Sequence, residues 1–127
     1  MQDNQLFEYA VIRLVPRVDR EEFLNVGVIL YCAKQQFLKT LFQLDAGRIT
    51  SLYPEIDVEI IRKHLETFQL ICRGDAGAGP IAKLPIAERF RWLTATRSTI
   101  IQVSKVHPGF CTDAEETLDK LYRQLVL

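Results

Sequence analysis

Few of the signatures that usually identify a function are present in this sequence. Its 127 residues include one tryptophan, two histidines and three cysteines, and 16 basic residues balance 16 acidic ones. Cys32, Cys72 and Cys111 are spaced about forty residues apart, so they form neither a disulfide framework nor a C-x-x-C pair. With only two histidines to add, we expect no metal site.

Export and membrane signals are also absent. The segment Met1–Leu6 lacks the basic and apolar regions of a secretory signal, and no apolar run approaches the ~18 residues that span a bilayer. We therefore expect a cytoplasmic protein with reduced thiols and no membrane partner. A net charge of zero gives no overall attraction to nucleic acid, so such binding would need a local basic patch.

The common catalytic and cofactor motifs are missing too. The sequence contains no H-E-x-x-H, G-x-S-x-G or G-x-G-x-x-G. The glycine-rich run Gly74–Pro80 lacks the G-x-x-x-x-G-K-[ST] order and follows a predicted helix, whereas a phosphate loop follows a strand. We interpret it as a linker and expect no cofactor.

Composition and periodicity predict one α+β domain over residues 1–127. Hydrophobic residues make up 48% of the chain and charged residues 25%, which is typical of a globular domain. The element order β-β-β-α-α-α-β-α predicts an antiparallel sheet of about four strands with helices packed on it. The predicted strands are Phe7–Val15, Val26–Ala33, Phe37–Leu44 and Thr99–Val106.

Capping signals in the sequence predict four helices. Asp45 and Asp57 are predicted N-caps of the first two, Pro85 begins the third, and the Thr112–Glu115 capping box begins the last. Pro16 is expected to end the first strand, and Pro108–Gly109 to form a turn. The first two strands are apolar on both faces, so either helices or a second copy of the chain must cover each side.

One segment differs in charge from the rest of the chain. Residues 89–112 contain no Asp or Glu, and they include the only tryptophan, Trp92. Arginine forks and hydroxyl donors suit carboxylate and phosphate, so the segment predicts an anion-binding surface. Its candidate residues are Arg89, Arg91, Trp92, Arg97, Ser98, Lys105 and His107.

Structural roles for the same residues remain open. An arginine near a helix end can neutralise the helix dipole or pair with a carboxylate, and a tryptophan can belong to the core. Ser98 and His107 could form a nucleophile and base, but they lie nine positions apart across a predicted strand and no third orienting group is evident.

Two further residues stand out in the first hairpin. Arg13 shares a strand face with apolar neighbours, which is costly for a charge unless it is paired or functional. It is expected either to pair with Glu8 or a helix carboxylate, or to enter a ligand pocket. Asn25 precedes Gly27, and a glycine inside a strand marks a bulge or a close backbone approach.

The sequence resembles a known family over nearly its whole length. The resemblance is carried by Phe7–Pro16, Phe23–Leu30 and Arg89–Ser98, together with Gln102, Ser104 and His107–Gly109. These segments are similar to the bacterial domain-of-unknown-function family 3037 (DUF3037). The resemblance implies that the characteristic positions are Arg13, Asn25, Gly27, Trp92, Arg97, Ser98 and His107.

The resemblance implies no activity. In the family a proline commonly precedes the Arg–Ser pair, whereas in this chain Thr96 precedes Arg97 and Ser98. The resemblance also implies genomic proximity to kinase-like proteins of the toxin–antitoxin type, which would favour a protein partner.

Three functional hypotheses follow. The leading one is a non-enzymatic binding module that recognises a protein partner or an anionic ligand through Arg13, Asn25, Arg97, Ser98 and His107. The second is nucleic-acid binding through the basic residues Arg89, Arg91, Arg97 and Lys105, with Trp92 as a stacking platform. The third is an enzyme acting on a phosphorylated or acyl substrate.

Overall fold

The fold is an antiparallel five-stranded sheet with helices on both faces, as seen in a computed structural model that describes residues 4–17, 22–95 and 99–127. The strands are β1 (Gln5–Arg17), β2 (Glu22–Cys32), β3 (Phe37–Phe42), β4 (Ile101–Val103) and β5 (His107–Cys111). The helices are α1 (Ala46–Leu52), α2 (Val58–Arg73), α3 (Ile86–Leu93) and α4 (Ala114–Leu125). The predicted α+β class with an antiparallel sheet is confirmed.

Strand β1 lies at the centre of the sheet. It pairs with β2 on one side and with β4 and β5 on the other, while β3 pairs with the far side of β2. Its alternation places Ala10, Ile12 and Leu14 in one core cluster and Phe7 in another. The predicted two-faced strand is therefore correct, and each of its faces contributes to a separate core.

The two cores are covered by different helices. On the first face, α2 and α3 contribute Leu65, Phe68 and Phe90 to the larger cluster, and we call this the α2 face. On the second face, Leu118 of α4 packs with Val28 and Leu30, and we call this the α4 face. Helix α4 packs mainly against β2 and β3, and its Ala114 and Leu118 share a cluster with Phe7 of β1 and Cys111 of β5.

The N-cap residues predicted for α1 and α2 are confirmed. The side chain of Asp45 accepts from the backbone N–H of Arg48 at 3.0 Å and begins α1. Asp57 begins α2 in the same way, and Gly74 ends it with a left-handed φ of 70°. At α4, by contrast, the N-cap is Asp113 rather than Thr112, because Asp113 accepts from the N–H of Glu116 at 3.2 Å.

Several predicted boundaries are wrong. Strand β1 continues through Pro16 to Arg17, because the register with β2 shifts between Leu14 and Arg17 and a proline is tolerated at such an irregularity. The glycine-rich segment is not a plain linker: it forms two short 3-10 helices, Ala76–Ala78 and Pro80–Lys83.

The predicted strand Thr99–Val106 is present but shorter: β4 covers Ile101–Val103 within it, and β5 is a fifth strand that begins at His107. The hydroxyl of Ser104, just after β4, is buried and accepts from the N–H of Val11 at 2.9 Å. Pro108 and Gly109 lie inside β5 instead of forming a turn, since Phe7 packs directly on Gly109 and an edge strand tolerates proline.

Gly27 is required by a close approach of two strands. A β-carbon built there would lie 2.7 Å from the carbonyl oxygen of Leu41 and 3.1 Å from Cβ of Phe42. We expect Gly27→Ala to lower the free energy of unfolding by about 2–4 kcal/mol, since β3 must move away. Urea denaturation measures this change.

Gly47 provides the matched control for that substitution. It lies within α1, where an added β-carbon would meet nothing closer than Oδ1 of Asp45 at 3.5 Å. Gly47→Ala is expected to be neutral or to stabilise by up to about 1 kcal/mol. Equal losses for the two variants would contradict the close approach at Gly27.

The buried thiol of Cys72 makes stability depend on pH in the alkaline range. Burial raises the pKa of Cys72 from 9.0 to about 11, and Thr40 lies 3.2 Å from its sulfur. A raised folded-state pKa gives stability that is complete below pH 9 and is lost as the pH rises toward 11. This contribution amounts to about 2–3 kcal/mol.

Cys72→Ser tests this contribution because it keeps the polar contact with Thr40 but does not titrate in this range. We expect the unfolding free energy of the variant to fall less steeply between pH 9 and pH 11 than that of the wild type. Parallel curves for the two proteins would show that Cys72 does not titrate differently on unfolding.

Candidate functional site

The predicted basic segment does not form one continuous patch. Arg89 donates from Nε to the carbonyl of Leu84 at 3.0 Å, and from Nη1 to the carbonyls of Ile71 at 3.0 Å and Cys72 at 2.8 Å. It therefore closes the C-terminal end of α2, where a cation also meets the negative end of the helix dipole. Arg89 therefore has the structural role at a helix end that was the alternative to anion binding.

The other members of the segment lie on different surfaces. Nη1 of Arg91 is 3.9 Å from a carboxylate oxygen of Glu8, so Glu8 pairs with Arg91 and not with Arg13. Trp92 is 41% exposed and lines a cleft of about 220 Å³ with His64 and Phe68 of α2. Lys105 is exposed in the connection between β4 and β5.

Arg97 and Ser98 lie outside the described residues, so their contacts are not part of the site described below. Within the described range that begins at Thr99, the carbonyl of Ile100 accepts from the N–H of Val15 at 2.7 Å. The described chain thus returns to the sheet two residues beyond Arg13 in β1.

The sheet does bring Arg13 and Asn25 together. They are directly paired across β1 and β2, and Arg13 is also paired with Gln102 of β4. Paired residues on adjacent antiparallel strands point to the same face. The Asn25 amide nitrogen donates to the carbonyl of Leu125 at 3.1 Å, which identifies this as the α4 face.

A bulge in β2 creates this pairing. Ile12 pairs with Gly27 and Arg13 pairs with Asn25, which leaves Val26 as the extra residue. A bulge of this kind re-aims the side chains beside it. Here Val26 joins the core on the α2 face while Asn25 reaches α4 on the other face.

On this face of the sheet, Arg13 contacts the exposed aromatic ring of Phe23. Its guanidinium carbon lies 4.4 Å from the centre of the Phe23 ring, and Phe23 is 47% exposed. Its Nε is buried without a hydrogen-bond partner, and so is Oδ1 of Asn25. Buried polar atoms without partners are uncommon and costly, so both atoms require an explanation.

We call the surface around Arg13 the open half-sheet. It consists of the α4-face side chains of β1, β4 and β5 beyond the Phe7 end that α4 covers, namely Tyr9, Val11, Arg13, Val15, Gln102 and His107. Val11 and Val15 are buried, and the other four are partly exposed. No acidic side chain lies on this face of β1, β4 or β5 in the described ranges.

His107 occupies the other end of this surface. It pairs with Tyr9, and the two rings are 5.3 Å apart between centres. Tyr9 and Arg13 are four positions apart in β1, a distance of about 13 Å along an extended strand. His107 is therefore too far from Arg13 for the two side chains to bind the same small group.

The predicted Ser98–His107 pair stays a prediction, because Ser98 lies outside the described residues. Ile100 is bonded to Val15 and His107 is paired with Tyr9, which puts about 20 Å of extended strand between them. A serine nucleophile must lie within hydrogen-bond reach of its base.

Phe23 is the residue of this site that sequence reasoning did not single out. It lies two positions before Asn25 in β2, so strand alternation puts both side chains on one face. The signal was available in the sequence, but it required knowledge of the register that brings Phe23 beside Arg13.

No group of three or more His, Cys, Asp or Glu side chains that could hold a metal ion occurs among the described residues. The three cysteines are free and buried. In the portion of the chain that the structure describes, no helix is long and apolar enough to cross a membrane.

Comparison with known proteins identifies the family. The model of the family described as "Protein of unknown function (DUF3037)" matches residues 9–126. The chain therefore belongs to this family, and the resemblance noted in the sequence is confirmed. No curated protein and no solved structure matches the chain.

The role of Arg89 can be separated from that of its neighbour Arg91 by mutation. We expect Arg89→Ala to lower the free energy of unfolding by about 2–3 kcal/mol, because it leaves the last carbonyls of α2 without their charged donor. Arg91→Ala, in the same helix with an exposed and long ion pair, should change it by about 0.5 kcal/mol or less. Thermal and urea unfolding of the two variants measure the difference, and similar values would contradict the assignment of Arg89 to the helix end.

Proposed function

We propose that this protein is a non-enzymatic binding module that recognises an anionic group, on a protein partner or a small ligand, through Arg13. The supporting observation is the guanidinium of Arg13 on the open half-sheet, stacked on Phe23, with a buried Nε that has no hydrogen-bond partner. The absence of acidic side chains on this face of the described β1, β4 and β5 leaves that charge for a ligand.

The energetics favour a ligand-binding role over a purely structural one. A half-buried charge that has no ionic partner among the described residues loses part of its hydration, and stacking on one phenyl ring returns only about 0.5–2 kcal/mol. A carboxylate or phosphate group can return more, because it forms two parallel charge-assisted hydrogen bonds with a guanidinium.

The stacking itself suits such binding. The guanidinium carbon of Arg13 lies 4.4 Å from the centre of the Phe23 ring, and the N–H donors of arginine point outward in the plane of the guanidinium. An anion can therefore bind at the edge of the guanidinium, and it reaches the buried Nε when the half-exposed Phe23 ring moves aside. Aromatic residues and arginine are also the residues enriched at the energetic centres of protein interfaces.

The remaining candidates extend this site. Asn25 and Gln102 flank Arg13 on the neighbouring strands. We propose that Arg97 and Ser98, which directly precede the segment bonded to Val15, supply further donors. His107 would contact a more distant part of a large partner, because it lies at the far end of the open half-sheet.

The other two functions receive less support. For nucleic-acid binding through the basic segment, Arg89 is not available to phosphate groups, because it donates to backbone carbonyls at and near the end of α2. Enzymatic hydrolysis would require Ser98 beside His107, whereas the described residue Ile100 is bonded to Val15, six positions along β1 from the partner of His107, Tyr9. We further propose a reducing cytoplasmic location, since the three buried cysteines are free.

The Nε–H group of Arg13 gives a direct test by ¹⁵N-resolved NMR. Its signal is assigned by its loss in Arg13→Lys, which keeps the charge but removes the planar fork. We expect the signal to shift during separate titrations with acetate and phosphate. Each anion that binds should also raise the melting temperature of the wild type, by mass action on the folded state, and should do so much less in Arg13→Lys.

Arg62→Lys is the matched control, because Arg62 lies in α2 and pairs with Glu59 at 3.4 Å. It should leave both the Arg13 signal and the anion-induced stabilisation unchanged. An Arg13 signal that stays fixed in both titrations, up to the highest anion concentration that preserves the fold, would refute Arg13 as an anion site.

A further inference from the structure

We propose that Arg13 and Asn25 act together to recognise a carboxylate that carries an N–H donor beside it, as in a peptide. This inference rests on the proposed function and specifies the chemistry of its ligand. It derives from two buried atoms of opposite hydrogen-bonding character, which the sheet holds on adjacent strands.

The two atoms are complementary to one ligand group. Arg13 and Asn25 are directly paired in register, and paired residues of antiparallel strands have Cα atoms about 5 Å apart. Nε of Arg13 is a donor without a partner, and Oδ1 of Asn25 is an acceptor without a partner. They do not satisfy each other in the ligand-free protein.

The orientation of the Asn25 amide is fixed by the fold. Its nitrogen donates to the carbonyl of Leu125 in α4 at 3.1 Å. Rotation of the amide by half a turn would place its oxygen against that carbonyl and lose the bond. Asn25 therefore presents an acceptor, and not a donor, on the side of the amide that lies away from Leu125.

This donor–acceptor pair discriminates between classes of anion. A simple carboxylate or sulfate offers acceptors only, so it satisfies Arg13 but leaves Oδ1 of Asn25 unpaired or repels it. A carboxylate beside an amide N–H supplies an acceptor for Arg13 and a donor for Asn25. A peptide offers this combination in two places, at its C-terminal carboxylate and at an Asp or Glu side chain near a backbone N–H.

Access to both atoms involves the side chain of Phe23. The atoms are shielded in the ligand-free protein, and the half-exposed Phe23 ring lies over the guanidinium. A rotamer change at this exposed ring costs little packing, and it lets a ligand reach Nε. The ring can then cover an apolar part of the bound peptide.

Two small probes test the inference on the wild-type protein. N-acetylglycine carries a carboxylate next to an N–H, and N-acetylsarcosine is the same molecule with that N–H replaced by N–CH₃. Both are titrated while the Arg13 Nε–H signal is followed. We expect N-acetylglycine to bind about tenfold more tightly, which is the effect of one buried hydrogen bond.

Nα-acetyl-aspartic acid α-amide, as a third probe, separates the two peptide sources. Its tighter binding relative to N-acetylglycine would assign the site to a side-chain carboxylate, and its weaker binding would assign it to a chain terminus.

The outcomes separate the inference from the proposed function. If acetate and both main probes shift the Arg13 signal with equal affinity, the anion site stands and the role of Asn25 is refuted. If no probe moves the signal, solvent water serves both buried atoms and both proposals fail.

Asn25→Ala provides the complementary variant. It should bind the two main probes with equal affinity, and a retained preference for N-acetylglycine would overturn the inference. Should the loss of the contact with Leu125 prevent this variant from folding, the comparison of the two probes on the wild type still decides the question.

Discussion

The central position of β1 is the constraint on which the rest of the structure depends. This one strand pairs with β2, β4 and β5, so both its edges are occupied and its two faces must enter two different cores. Ile12 and Leu14 meet α2 and α3, while Phe7 meets the cluster below α4. A charged residue in such a strand can be accommodated only where one face is left partly open, and Arg13 lies at that place.

The irregularities of the sheet give this opening its chemistry. The bulge at Val26 places Asn25 opposite Arg13, and Gly27 lets β3 approach closely enough to complete the sheet beside it. Between β4 and β5, the buried hydroxyl of Ser104 takes the place of a backbone carbonyl and accepts from the N–H of Val11 in β1. Each irregularity departs from ideal pairing, and together they position polar groups within an otherwise apolar sheet.

The class of the fold and much of its detail could be predicted from local patterns. The two-faced β1, the caps at Asp45 and Asp57 and the helix end at Gly74 all depend on residues close together in the chain. The division of β4 from β5 could not be predicted in this way. It depends on Phe7 packing over Gly109 and on the Ser104 hydroxyl bonding to Val11, which are contacts between distant parts of the chain.

The candidate site shows the same division. The sequence by itself determined that Arg13 is an unusual charge among apolar neighbours, that Asn25 and Gly27 mark an irregular strand, and that the family is DUF3037. Only the tertiary structure decided that Arg89 closes α2, that Glu8 pairs with Arg91, and that Phe23 stacks on Arg13. The physical reason is that alternation along a strand fixes the face of each residue, whereas its partners are set by the register and bulges that join distant strands.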